Sequence, residues 1–120
     1  MSNILTVDDN DAMRRMISHT LCLGGYVVAE APSAQDALDK MENQSFDLII
    51  TDMNMPNMNG IEFTKAIRQL NNHRTVPVLI LSTENKESLK KNASTAGANG
   101  WIVKPFSPTD LIDKVRSVIH

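Results

Sequence analysis

A chain of 120 residues, 42 % apolar and 22 % charged, has room for one compact domain with a single core. Its net charge of −2 excludes the basic excess of a dedicated nucleic-acid binder, and no apolar run approaches the ~18 residues of a membrane span. One cysteine, Cys22, excludes an intrachain disulfide and fits a reducing compartment. The start of the chain runs straight into Ile4-Leu5 without the character of a signal peptide, so a cytoplasmic domain is expected.

Charge is uneven along the chain. Residues 1–62 carry 3 basic and 10 acidic side chains, and residues 63–120 carry 9 and 4. This fits a cation site in the first half and a partner surface in the second, and it fits solvated faces of drifting sign equally well.

In chain order, residues 4–7 read as a first strand ended by Asp8-Asp9. Asp9 or Asn10 caps a helix whose apolar face is Met13, Met16, Ile17, Thr20 and Leu21, closed by Gly24-Gly25. Residues 26–29 are a second strand. Ser33 followed by Asp36 is a capping-box pattern opening a helix with Ala34, Ala37, Leu38 and Met41 inward. Residues 48–51, unbroken and apolar, read as a strand buried on both faces, and the run stops at Asp52. After a turn at Pro56–Asn59, a third helix presents Ile61, Phe63, Ala66, Ile67 and Leu70.

The polar run 71–75 is expected to be a loop and residues 77–81 a fourth strand. The helix expected over 85–96 has only Leu89, Ala93 and Ala96 to bury, and so little apolar area predicts a mobile element. Residues 101–103 form a fifth strand. Ser107-Pro108-Thr109-Asp110 combines an N-cap, a first-turn proline and a third-position acid, and the helix it opens buries Leu111, Ile112, Val115, Val118 and Ile119. Five strand–helix units in strict alternation predict an α/β fold, a doubly wound five-stranded parallel sheet with five helices.

Such a sheet gathers the strand ends on one edge, where open α/β folds hold their ligands. That edge receives Asp8 and Asp9, Asp52, Ser82 and Thr83, and Lys104-Pro105. Singly each has an ordinary explanation: aspartates favour a helix N-terminus, hydroxyls cap helices, and a lysine before proline sits on the surface. Together they differ. Three converging carboxylates repel by about 3 kcal/mol per pair at ~5 Å, so a proton or a cation must relieve them. Oxygen ligands at an open edge favour a hard divalent ion such as Mg²⁺. Lys104 cannot ligate metal while protonated, so its better use is against an anionic oxygen beside Asp52.

Val-Asp-Asp at 7–9, Thr-Asp-Met-Asn-Met-Pro-Asn-Met-Asn-Gly at 51–60, Leu-Ser-Thr-Glu at 81–84 and Trp-Ile-Val-Lys-Pro-Phe at 101–106 resemble the receiver domain of two-component response regulators. The resemblance spans essentially the whole chain, with no length left for an effector domain, which points to a stand-alone chemotaxis regulator. It implies a flavodoxin-like sheet of strand order 2-1-3-4-5. It also implies that Asp52 is the phosphoacceptor. Asp9, Asp52 and the Asn54 carbonyl would hold Mg²⁺, with Asp8 acting through water. Lys104, the Ser82 hydroxyl and backbone amides near Met53 would meet the phosphoryl oxygens, and Asn54 and Glu84 would flank the water of dephosphorylation. Ser82 and an inward-turning aromatic, here Trp101 in place of the usual tyrosine or phenylalanine, would form the switch. The implied partners are a sensor histidine kinase of the chemotaxis type, a flagellar switch protein and a phosphatase, around a monomer.

Lys86, Lys90, Lys91 and Lys114 suit an acidic partner segment as well as they suit solvent. Thr6 replaces an expected aliphatic residue, with a hydroxyl expected to bond locally. The methionines, Met13, Met16 and Met41 among them, read as adaptable packing, and Cys22 as structural. His19, His73 and His120 have no metal-ligand spacing. A rival, the Mg²⁺-dependent phosphohydrolases of haloacid-dehalogenase type, needs a second aspartate two residues after the nucleophile, where this chain has Asn54. A flavin carrier would need a hydroxyl- and glycine-rich first loop, and Asp8-Asp9 would repel its phosphate. A receiver serving only as a phosphate sink is the remaining alternative.

Overall fold

The computed structural model describes residues 2–119, so His120 lies outside the described residues. The chain alternates β1 (Asn3–Val7), α1 (Asp11–Leu23), β2 (Val27–Ala31), α2 (Ala34–Asn43), β3 (Leu48–Asp52), α3 (Gly60–Ile67), β4 (Val78–Ser82), α4 (Glu87–Ala96), β5 (Gly100–Val103) and α5 (Pro108–Val118). All strand pairs are parallel, in the order β2-β1-β3-β4-β5, as the resemblance implies.

The strand period of two divides the core between the faces of the sheet. Leu5, Val7, Ile49, Val78 and Ile80 pack under α2, α3 and α4, where Ala37, Met41, Phe63, Ile67 and Ala93 meet them. Ile4, Leu48, Ile50, Leu79 and Leu81 pack under α1 and α5 against Ile17, Leu21, Leu111 and Val115. Phe63, Ile17, Leu21 and Met41 are among the fully buried side chains, each stabilising the fold by about 1.5–3 kcal/mol relative to exposure. The central strands β3 and β4 are buried throughout, whereas β2 lies at an edge with Val27 half exposed.

Side chains cap the helix starts. Asn10 accepts from the Met13 amide. At Ser33 only half of the expected box forms, the Ser33 hydroxyl accepting from the Asp36 amide, whereas Ser107 and Asp110 form a reciprocal capping box. A second such box, Asn59 with Glu62, opens α3. Gly25 supplies the left-handed residue after α1, at φ +93°.

Four expectations need correction. The buried face of α1 is Arg14, Ile17, Ser18 and Leu21, while Met16 points outward. Thr6 bonds across to α1, its hydroxyl 3.3 Å from that of Ser18, because the strand period turns it toward that helix. Cys22 is exposed. The polar run 71–75, expected to be a loop, contains a 3₁₀ turn at Asn71–His73, and His73 is buried with its Nε2 accepting from the Phe46 amide at 3.2 Å. Among the described residues, no helix is long and apolar enough to cross a membrane.

Candidate metal and phosphoryl site

Sheet register builds the site. Val7 pairs with Thr51, so the next residues, Asp8 and Asp52, emerge side by side where β1 and β3 end. Asp52 pairs with Leu81 and Ser82 with Val103, which brings Ser82 and Lys104 into the same row. The Lys104 amide donates to the Ser82 carbonyl at 2.8 Å and extends that row past β5. The strand-to-helix loop after Asp52 folds back tightly: the Gly60 amide donates to the Met53 carbonyl at 2.8 Å. A Cβ on Gly60 would lie 2.9 Å from the Asp52 carbonyl oxygen, so no larger residue fits without moving the strand end that carries Asp52. Asn57 takes the left-handed conformation in that loop, at φ 70°, which asparagine tolerates.

Asp8, Asp9 and Asp52 each offer a carboxylate oxygen, all within 4.8 Å of one another. Asp8 is 2 % and Asp52 7 % exposed, while Asp9 opens to solvent, so the cluster is walled by protein on one side and reachable on the other. Lys104 Nζ donates to Asp52 Oδ1 at 2.6 Å. Asp8 Oδ1 accepts from the Asn10 amide at 2.9 Å, but its Oδ2 is buried without a partner. Burial pushes the Asp8 pKa up, the Asp52 and Asp9 charges add to the rise, and the Asn10 amide and Lys104 oppose it. A buried carboxylate oxygen with nothing to bond, beside two further carboxylates, is the donor set expected of a hard divalent cation's seat. The residues therefore fit Mg²⁺.

Ser82 is buried, and its Oγ accepts from the Glu84 amide at 3.0 Å. The Glu84 carbonyl in turn accepts from Trp101 Nε1 at 2.9 Å. Trp101 is thus half-buried on the flank of β4, its indole tied to the β4–α4 loop. Asn54, two residues after Asp52, and Glu84, two after Ser82, are exposed. The Met53 amide is engaged by the Leu81 carbonyl at 2.8 Å. Asp8, Asp9, Asp52, Ser82 and Lys104 thus lie at one edge of the sheet, with Trp101 off to the side.

The sequence profile described as "Response regulator receiver domain" matches residues 4–116. The chain belongs to the response regulator receiver family. This receiver is 39 % identical over 118 residues to chemotaxis protein CheY1 of Helicobacter pylori, covering 97 % of this chain and 95 % of that one. Among solved structures it is similar to chemotaxis protein CheY4 of Vibrio cholerae, with a TM-score of 0.96, 42 % identity and 99 % coverage of both chains. It is also similar to the receiver domain of a Pseudomonas aeruginosa sensor histidine kinase, solved with a magnesium ion coordinated in its active site cleft. That similarity has a TM-score of 0.88 at 29 % identity, covering 98 % of this chain and 96 % of the other.

One participant escaped the sequence reading. Arg14, buried on α1, donates through Nη1 to the carbonyl of Asp8 at 2.8 Å. Its position three residues before Ile17 and seven before Leu21 puts it on the helix's inner face, a signal that the apolar Met13 and Met16 obscured.

Proposed function

We propose that this receiver is a phosphoacceptor signalling protein, in which Asp52 takes a phosphoryl group from a phosphohistidine on a sensor histidine kinase. The observation that carries the reading is Lys104 Nζ at 2.6 Å from Asp52 Oδ1, beside a carboxylate cluster that could hold a cation. A carboxylate oxygen of Asp52 forms a bond to phosphorus as the phosphorus–nitrogen bond of the donor breaks, and the imidazole leaves. Little covalent help is required of the protein, because phosphoryl transfer rests on positioning and charge stabilisation.

Lys104 holds one oxygen of Asp52 in place before transfer and meets a phosphoryl oxygen after it. The Ser82 hydroxyl, whose oxygen already accepts from Glu84, keeps its proton free for a second phosphoryl oxygen. Since the Met53 amide is taken by Leu81, the loop amides that follow it are left for the third. Asp9, Asp52 and the Asn54 carbonyl would hold Mg²⁺, with Asp8 acting through water. When bound, the ion neutralises the carboxylates and offsets charge on the transferring group. In self-dephosphorylation, Asn54 and Glu84 flank the approaching water.

The output follows from the chain of bonds between Ser82, Glu84 and Trp101. Drawing the Ser82 hydroxyl toward a phosphoryl group removes the acceptor of the Glu84 amide. The loop that holds the indole is then released, and Trp101 moves inward. The surface carrying Lys86, Lys90, Lys91 and Lys114 changes with it and engages an acidic segment of a target. With relatives named as chemotaxis proteins, the reading is a cytoplasmic regulator acting as a monomer on a flagellar switch protein, reset by itself or by a phosphatase.

Incubation with radiolabelled acetyl phosphate tests the reading. The label is expected to require Mg²⁺, to be lost in EDTA and to be cleaved by hydroxylamine, as an acyl phosphate is. Metal-independent or hydroxylamine-stable label would overturn it.

A further inference from the structure

Arg14 is a buried cation with three acceptors in three directions. Nη1 donates to the Asp8 carbonyl at 2.8 Å, Nε donates to Glu30 on the edge strand β2 at 3.0 Å, and Nη2 pairs with the Asp11 carboxylate at 2.8 Å. Its side chain is 11 % exposed. Burial works against the Arg14 charge, but its hydrogen bonds and attraction to Asp11 and Glu30 outweigh that and raise its pKa. The charge is thus already answered by two carboxylates outside the acidic cluster. Its carboxylate partners, Asp11 and Glu30, both lie outside the acidic cluster, and it meets Asp8 only at the carbonyl.

What it touches instead is backbone. The Asp8 carbonyl belongs to the peptide unit joining Asp8 to Asp9, so a bond to it fixes the plane from which Asp9 departs. The same residue is held at its amide by the Ala31 carbonyl and at its carboxylate by the Asn10 amide. With Arg14 in place, Asp8 is held by β2 through Ala31, by α1 through Arg14 and by the loop between β1 and α1 through Asn10.

We propose that Arg14 is a positioning residue for the acidic pocket, its guanidinium fixing the Asp8–Asp9 peptide so that both carboxylates face one divalent cation. The inference rests on the pocket's reading as a Mg²⁺ site. The requirement is for a rigid planar fork, because a lysine ammonium is a single point that cannot reach the three acceptors in the same geometry. Supports behind a metal's ligands commonly govern its affinity.

Titration calorimetry of the metal-free full chain with MgCl₂ tests this. Arg14→Lys keeps the charge and is expected to weaken Mg²⁺ binding on the order of 10-fold. The rate of labelling from acetyl phosphate should show the same shift in its half-saturating Mg²⁺, with a plateau within about twofold of the parent because the reacting groups are untouched. If Arg14→Lys does not fold, Glu30→Ala removes one anchor of the fork on an exposed side chain, and a weakening of about threefold is expected. A lowered melting temperature with unchanged Mg²⁺ affinity, in either variant, overturns the inference and leaves Arg14 a structural tie. A parent chain that binds no Mg²⁺ overturns the metal reading and this inference together, whereas a binding parent with unaltered variants overturns this inference alone.

Discussion

Asp8→Asn should make the protein more stable while impairing it. The oxygens of Asp8, Asp9 and Asp52 lie within 4.8 Å of one another. At an effective dielectric of about 20, each pair of full charges at that separation repels by about 3 kcal/mol. The variant removes two of the three pairs. Lys104 attraction to Asp8 is lost at the same time, and Asp9 is screened by water, so a net gain of about 2 kcal/mol remains. Asparagine keeps an oxygen for the Asn10 amide and replaces the orphaned Oδ2 with a donor among carboxylates. For a chain of this size the gain corresponds to a melting temperature raised by about 6–8 °C.

The assay is thermal unfolding followed by circular dichroism, in EDTA at neutral pH and again on acidification. Asp8 ionises less readily in the folded chain than in the unfolded one. Its penalty is therefore fully present above its folded pKa and disappears as pH falls through that value toward the unfolded ~3.9. The advantage of the variant shrinks accordingly in acid. With millimolar Mg²⁺ the parent gains stability by binding and the variant gains less, narrowing the gap from the other side. A variant less stable than the parent in EDTA would refute the reasoning, since Asp8 would then be a structural acceptor instead of a frustrated ligand.

Lys104→Met leaves Asp52, nearly buried, without its cation, and stopped-flow labelling from acetyl phosphate should slow on the order of 100-fold at saturating Mg²⁺. Trp101 is the sole tryptophan, so its emission reports its own surroundings; addition of beryllium fluoride, a phosphoryl mimic, should shift it to the blue as the indole leaves the Glu84 carbonyl, and an unchanged spectrum would remove Trp101 from the switch. His73 is held neutral by burial, with Nε2 as an acceptor, Nδ1 unpaired, and Arg68 Nη1 on its carbonyl at 3.2 Å. Its folded pKa lies below the unfolded value of 6.5, so its stabilisation is complete above that value and lost as pH falls through the folded one. Melting temperature should thus drop more steeply below neutrality in the parent than in His73→Gln, which keeps an acceptor that never titrates.

The architecture was legible because β3 and β4 are unbroken apolar runs that end in functional groups, and because the caps at Asn10, Ser33 and Ser107 mark helix starts independently of packing. The convergence of Asp8, Asp52, Ser82 and Lys104 needed only parallel strands of equal register. What escaped the sequence involves polar groups buried by tertiary partners. Arg14 reads as surface charge until Asp11, Glu30 and the Asp8 carbonyl surround it. His73 reads as part of a polar loop until the Phe46 amide finds its ring. Trp101 could be placed at the end of the sheet, but its tie to Glu84 depends on how the β4–α4 loop folds. Hydrophobic periodicity is a property of one segment, whereas these bonds join segments far apart in sequence.

The central claim is that phosphoryl transfer ends on Asp52. Borohydride reduction of the labelled protein converts an aspartyl phosphate to homoserine, and peptide mass spectrometry then locates it. The account predicts homoserine at position 52 alone, only when Mg²⁺ was present, and none in Asp52→Asn. Conversion at Asp8 or Asp9, or labelling that survives in Asp52→Asn, would contradict it.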